Sequence, residues 1–285
     1  MKKEILRINF ITRLTKDDES CLTDPKEVLE EQRRFYSKLY SSQNPCVNDP
    51  RFNLLFTGNM IKTLDNEQKE SCEGLLTVEE CKEALNNFSK NKSPGTDGLT
   101  AEFYSFFCNL LSDTMVNSFN YGFQKGKLTV SQRQSIIRLI LKKDKDLSRL
   151  KNFDRSPWPQ TGYMEGRFIG ENIRLISDIL HFTAQQNLED IALFIDFEKA
   201  FDSLEWDFLL KTLDTFQFGH DFKSWVKILY TNITSCTINN GYASNWFELH
   251  HGVRQGGPLS GLLFVLAVEI LSIAIRASRD IKESR

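Results

Sequence analysis

The chain has 285 residues, 40% of them hydrophobic and 26% charged, with 22 Phe against 15 Gly and 7 Pro; this excludes a disordered, collagenous or low-complexity polypeptide and allows one large domain or two small ones. Lys plus Arg (36) nearly cancels Asp plus Glu (38), so whole-chain charge gives no support to a non-specific nucleic-acid binder, and any such role must rest on local patches. The six cysteines form no CxxC pair and the four histidines offer no zinc-ligand spacing, a pattern that fits reduced thiols in an intracellular protein, nuclear or cytoplasmic.

The start, MKKEILRINFITR, breaks its apolar residues with Arg7, Asn9 and Arg13 and makes a poor signal peptide. The first helix signal is Asp24 with Pro25 at the first position and Glu27 as a capping-box partner; it carries Val28, Leu29, Phe35, Tyr36 and Leu39 and ends near Tyr40. Residues 41–74 are turn-rich and read as a loosely organised connector. Thr77 with Glu80 opens a second helix, with an apolar stripe through Val78, Cys81, Ala84, Leu85 and Phe88. The loop NKSPGTDGL (91–99) stops it, and a third helix follows Thr100.

From Ser135 the chain reads SIIRLIL and then KKDKD, a strand discharging into a charged turn. Between Lys125 and Arg155 ten Lys or Arg face three Asp, a local excess of seven positive charges. Such a stripe neutralises phosphates, or is simply a solvated face. The spacing predicts a helix over 172–188 with Leu175, Ile176, Ile179, Leu180 and Phe182 on its buried side, then a short apolar strand over 191–195. Two more helical patterns carry Phe208 to Phe216 and Phe222 to Tyr230, and the stretch 236–249 holds the Asn240-Gly241 turn of a hairpin. Pro258 starts a last apolar helix running to about Arg276. The most membrane-like run, Gln255 to Val268, is 14 residues and too short to span a bilayer, so no membrane partner is expected.

Two segments stand out chemically. In ALFIDFEKAFDS (192–203) a strand pattern ends in Asp196 and a second carboxylate, Asp202, follows six residues on. A carboxylate at a core strand's end needs a cation or donors, and a hard cation such as Mg²⁺ wants oxygen ligands there. The alternative is that either Asp caps the next helix. In GVRQGGPLSGLLF (252–264) glycines allow close approach to the backbone, Gln255 offers an amide, and Pro258 opens a helix with an electropositive end. The alternative there is an ordinary helix start after a hairpin.

In order along the chain, FYSKLY (35–40), NKSPGTDGL, RLILKKDKD (138–146), QTGYMEGRFIGENIRL (160–175), FIDFEKAFDS and GVRQGGPLSGLLF resemble successive blocks of the reverse transcriptase of LINE-type non-LTR retrotransposons. The resemblance implies an α+β fold of the right-hand polymerase type, with mostly helical fingers and an incomplete antiparallel palm sheet backed by helices. It divides the chain into a leading segment (1–74), a fingers-like region (75–190) and a partial palm (191–285). It implies that Asp196 is the first metal-binding aspartate and that the carbonyl of Phe197 is a second ligand for Mg²⁺. The ring of Phe201 would sit under the sugar and exclude a ribose 2′-hydroxyl. Gln255 and Gly256 would contact the incoming nucleotide and the template, and Lys142 and Lys143 would meet the triphosphate. The implied partners are an RNA template, a DNA primer and dNTPs.

The pattern departs from the family in two places. The two further metal carboxylates of an aromatic-Ala-Asp-Asp hairpin are not among these 285 residues, and KNFDRSPWPQTG (151–162) stands where an Arg-Pro-Ile block and a longer helical stretch are expected. Smaller departures are Gly257 and Gly261, where the family usually has Cys and Pro. The expectation is a truncated, internally deleted relative that lacks polymerase activity by itself, the alternatives being a non-catalytic RNA- or DNA-binding module and a decayed transposon product. An open palm edge would invite self-association.

Overall fold

In the computed structural model the described residues are 11–16, 18–42, 50–56, 63–88, 94–95, 97–141, 153–154, 169–187, 195–254 and 257–278. The architecture is mixed helix and sheet. Helix α1 (Pro25–Leu39) starts where Asp24 accepts from the backbone N–H groups of Lys26 and Glu27. Only this forward half of the expected capping box is formed there. The complete box is made by Thr77 and Glu80 at α2 (Val78–Asn87), with Glu80 N–H donating to Thr77 Oγ1 and Thr77 N–H donating to Glu80 Oε2. The connector is more ordered than its turn-rich sequence suggests, because it contains short helices Pro50–Leu54 and Asn66–Glu70, the second with its own capping box from Asp65 and Gln68.

The third helix is two. A short turn, Ala101–Phe106, gives way at Phe107 to α3 (Cys108–Gln124), so the aromatic run straddles a break. The predicted strand after Ser135 begins one residue earlier as β1 (Gln134–Arg138), followed by Ile140–Leu141 paired with Phe153–Asp154. Helix α4 (Ile169–Gln186) covers most of the predicted region, but its apolar residues Ile176, Ile179, Leu180 and Phe182 are exposed and Thr183 is buried, while the Leu175 side chain lies outside what is described. An amphipathic face is buried only where a neighbour offers matching apolar area, and among the described residues none covers this one. Of the strand expected over 191–195, residues 191–194 lie outside the described residues; Ile195 is irregular and exposed.

Helices α5 (Trp206–Thr215) and α6 (His220–Tyr230) precede β2 (Thr234–Asn239), β3 (Tyr242–Ala243) and β4 (Phe247–Glu248). The Asn240-Gly241 turn is formed as predicted, with φ of 54° and 83° at its two central residues, the positive pair that a tight hairpin demands. The sheet is mixed and not purely antiparallel: β2 pairs antiparallel with β3 and β4 on one side, and parallel with β1 on the other, Gln134 opposite Thr234 through Arg138 opposite Ile238. A parallel pair needs a long crossover, and the chain between Arg138 and Thr234 supplies it.

One core cluster joins stretches far apart in the chain: Leu14, Val28 and Tyr36 from the leading segment, Ile137 from β1, Leu213 from α5 and Leu263 from α7 (Pro258–Ala277) all belong to it. The side-chain amide of Asn239 pins the beginning of this core to the sheet, accepting from Ile11 N–H and donating to Ile11 O. Helix α7 is longer than the 14-residue apolar run read from the sequence, since Glu269 does not end it and forms an ion pair with Arg276. Among the described residues it is the one helix long and apolar enough to cross a membrane by length and composition. Its buried positions Leu263, Ala267, Ile270 and Ile273 recur every three or four residues, the stripe of a helix packed on one side, and it lies against α5.

Two glycines share a left-handed backbone but not their surroundings. Gly252 (φ 86°) has Asp202 O 2.9 Å and Tyr40 Cε1 3.1 Å from where a Cβ would sit, whereas Gly241 (φ 83°) has open space. Gly241→Ala is expected to cost about 1 kcal/mol, the backbone penalty alone, and Gly252→Ala about 2 to 4 kcal/mol because overpacking adds to it. Urea denaturation of the two variants measures the difference, and equal losses would show that the space around Gly252 is not tight.

Candidate active site

The Asp196 turn is built from local bonds. After irregular residues 195–197 the chain turns at Lys199, whose φ of 53° is unusual for a residue with a side chain. Its carbonyl accepts from Asp202 N–H at 2.7 Å, from Ser203 N–H at 3.0 Å and from the Ser203 hydroxyl at 3.0 Å. Its ammonium lies over the Phe35 ring, 5.2 Å from the centroid. These contacts hold the strained residue in place and present Asp196 to solvent.

A second segment docks on this turn. Gly252 N–H donates to Leu204 O and Val253 N–H donates to Phe201 O, both at 2.7 Å. The Trp206 indole N–H donates to Gly252 O at 2.9 Å. His251, buried, places Nδ1 2.6 Å from Asp202 O. A carbonyl can only accept, so the ring carries its proton on Nδ1. The segments 201–206 and 250–254 are therefore clamped by backbone bonds, and close approach at Gly252 is what makes the clamp possible. Aromatic packing extends it: Phe264 on α7 lies 5.0 Å from Phe201 and 6.1 Å from Phe197, centroid to centroid.

Arg254 completes the underside. Its Nη1 donates to Gln132 O at 3.1 Å, while Nε and Nη2 are buried and bond to no protein atom. Burial depresses the guanidinium pKa, with the nearby Tyr230 acting weakly the other way. Burial also raises the Tyr230 phenol, opposed by its contact with Ser260 at the start of α7. One phenol, Tyr230, and one guanidinium, Arg254, thus lie near each other at the residue before Gln255.

The sequence-derived residues fare unequally. Asp196, Phe197 and Phe201 share one turn, and Phe201 is bonded to Val253, two residues before Gln255, a span of at most about 7 Å of chain. Gln255, Gly256, Lys142 and Lys143 lie outside the described residues. Asp202 does not cap helix α5. It is buried, its Oδ1 accepts from the Tyr40 hydroxyl at 3.0 Å, and the cap position of α5 is Glu205. The strand expected to end at Asp196 lies outside the described residues at 191–194, and Ile195, which follows them, is exposed.

Among the described residues no group of three or more His, Cys, Asp or Glu side chains could hold a metal ion. Asp196 is an exposed carboxylate, and Asp202 faces Tyr40. A two-ion centre spaces its metals about 3.5 to 4 Å apart and needs several carboxylates to do so. The described donors do not fit one. Tyr40, His251, Arg254 and Phe264 are the participants that sequence reasoning missed. The only signal for Tyr40 was its place at the end of the FYSKLY block.

Comparison with known proteins identifies a family. Residues 124–282 match the family described as reverse transcriptase (RNA-dependent DNA polymerase), a stretch that contains β1, the Asp196 turn, the hairpin and α7. The chain is also 32% identical over 289 aligned residues to the transposon TX1 uncharacterized 149 kDa protein of Xenopus laevis, an alignment covering 91% of this chain and 21% of that protein. The chain thus spans about a fifth of that relative's length. With the family matched across more than half its residues and its blocks in the order of the non-LTR retrotransposon enzymes, this chain belongs to the reverse transcriptase family.

Proposed function

We propose that the chain is the fingers and palm portion of a non-LTR retrotransposon reverse transcriptase, shaped for an RNA template, a DNA primer and dNTPs, and that by itself it binds nucleic acid without extending the primer. The observation that carries the first half is the backbone clamp between the Asp196 turn and the loop leading to Gln255, which brings two blocks of the family resemblance to one place. In this reading residues 1–74 lead in, 75–190 form the fingers and 191–285 the partial palm. Gln255 and Gly256 meet the nucleotide and template. Phe201, seated on Phe264, lies under the sugar and excludes a 2′-hydroxyl. Lys142 and Lys143 neutralise the triphosphate.

The second half rests on the donor set. Asp196 and the carbonyl of Phe197 are the proposed protein ligands of Mg²⁺, and they do not complete a site. The 285 residues contain no aromatic-Ala-Asp-Asp sequence that would add carboxylates. Binding without synthesis is the behaviour that follows.

In a primer-extension assay with RNA template, DNA primer, dNTPs and Mg²⁺, the purified chain is expected to give no product; template-dependent synthesis that is abolished by Asp196→Ala would overturn the inactivity. Filter binding to RNA is expected to weaken with salt, and replacing Lys142, Lys143 and Lys145 by Ala to flatten the log–log salt dependence by about 2, as two or three phosphate contacts are lost. A slope unchanged by that triple substitution would remove the basic stretch from the binding surface.

A further inference from the structure

We propose that Tyr40, acting through Asp202, is a positioning residue for the loop that leads to Gln255, so that the end of α1 is a working part of the polymerase centre. This rests on the reading of that loop as nucleotide-contacting. The leading helix is remote in sequence, 162 residues from its partner, yet three kinds of contact from its end converge on the clamp. The Tyr40 hydroxyl donates to Asp202 Oδ1, its carbonyl accepts from His250 N–H at 3.0 Å, and its ring lies 6.0 Å from that of His251. One turn earlier the Phe35 ring carries the Lys199 ammonium of the Asp196 turn. Just beyond, the Ser42 hydroxyl reaches the Glu205 carboxylate at 3.2 Å.

Asp202 is where these contacts are transmitted. Its side chain is held by Tyr40 while its main-chain carbonyl faces both His251 Nδ1 and the bare α-carbon of Gly252. A displacement of Asp202 therefore shifts both residues that precede Val253 and, with them, the register of 201–204 against 250–253. Tyr40 and Asp202 are 2% and 5% exposed, so water cannot readily replace the hydroxyl, and a buried bond to a carboxyl oxygen is among the stronger neutral-donor contacts. A tether would need only apolar burial at this point. A buried hydroxyl aimed at the residue that touches both segments specifies their alignment.

The test compares Tyr40→Phe, which keeps the ring and its packing, with wild type by amide hydrogen exchange and by dNTP affinity on an RNA template–DNA primer duplex with Mg²⁺. The Gly252 and Val253 amides are expected to exchange about tenfold faster, those of β2 to be unchanged, and dNTP binding to weaken about five- to tenfold while RNA affinity holds. In an Asp202→Ala background Tyr40→Phe is expected to add nothing, which assigns the effect to the pair. Unchanged exchange at Gly252 and Val253, acceleration spread evenly into β2, or full dNTP affinity in Tyr40→Phe would each overturn the proposal. Local acceleration in a protein whose wild type binds no dNTP would leave the Tyr40 brace standing and overturn the nucleotide reading of the loop.

Discussion

Two short backbone hydrogen bonds, Gly252 N–H to Leu204 O and Val253 N–H to Phe201 O, are the constraint on which the candidate site depends. They join a turn bearing an exposed carboxylate to a glycine-rich loop that starts the longest described helix. Neither segment is a strand, so nothing regular would hold them side by side. The approach is possible because residue 252 has no Cβ and adopts φ 86°, and the surrounding groups, Trp206, His251 and Tyr40, fill the space left. Catalytic centres commonly sit on such irregular segments, positioned by a rigid scaffold.

The scaffold here is shared among stretches far apart in the chain. Strand β2 is the hub, with β1 parallel on one side, the hairpin partners β3 and β4 antiparallel on the other, and α1 packed near it. Beneath α6 a second clamp works by the same means: the Glu73 carboxylate accepts from the Asp221 and Phe222 amides at the helix start, and the Trp225 indole donates to Gly74 O. An acidic side chain at a helix's amino end satisfies N–H groups that would otherwise lack partners and faces the favourable end of the dipole. Long-range ties of this sort link the segment before residue 75 to Asp202 and to the start of α6.

What was legible in the sequence was local. The Asn240-Gly241 turn, the Thr77–Glu80 box and the start of α7 at Pro258 each depend on the conformational preferences of two to four adjacent residues, and each is found where expected. The break at Phe107 was not legible because no Gly or Pro marks it, and the apolar run reads through it. The parallel pairing of β1 with β2, residues 100 apart, and the Tyr40–Asp202 bond leave no trace in spacing. Helix α4 shows the converse failure: its periodicity is genuine, but periodicity announces an apolar face and not the partner that covers it. At the candidate site, the resemblance names Asp196 and Phe201, whereas the bond between Asp202 and Tyr40 emerges only from the structure.

Membership of the reverse transcriptase family supplies the context for these ties, and the clamp is the feature by which this chain's own residues join two of the family's blocks. The most direct measurement is the scalar coupling transmitted through a hydrogen bond, recorded by NMR between the amide nitrogen of Gly252 and the carbonyl carbon of Leu204, and between Val253 and Phe201, in deuterated, uniformly labelled protein. Resolved couplings across both pairs are the predicted result. Sharp amide signals for Gly252 and Val253 with no coupling to either carbonyl would contradict it, since the turn and the loop would then be independent segments.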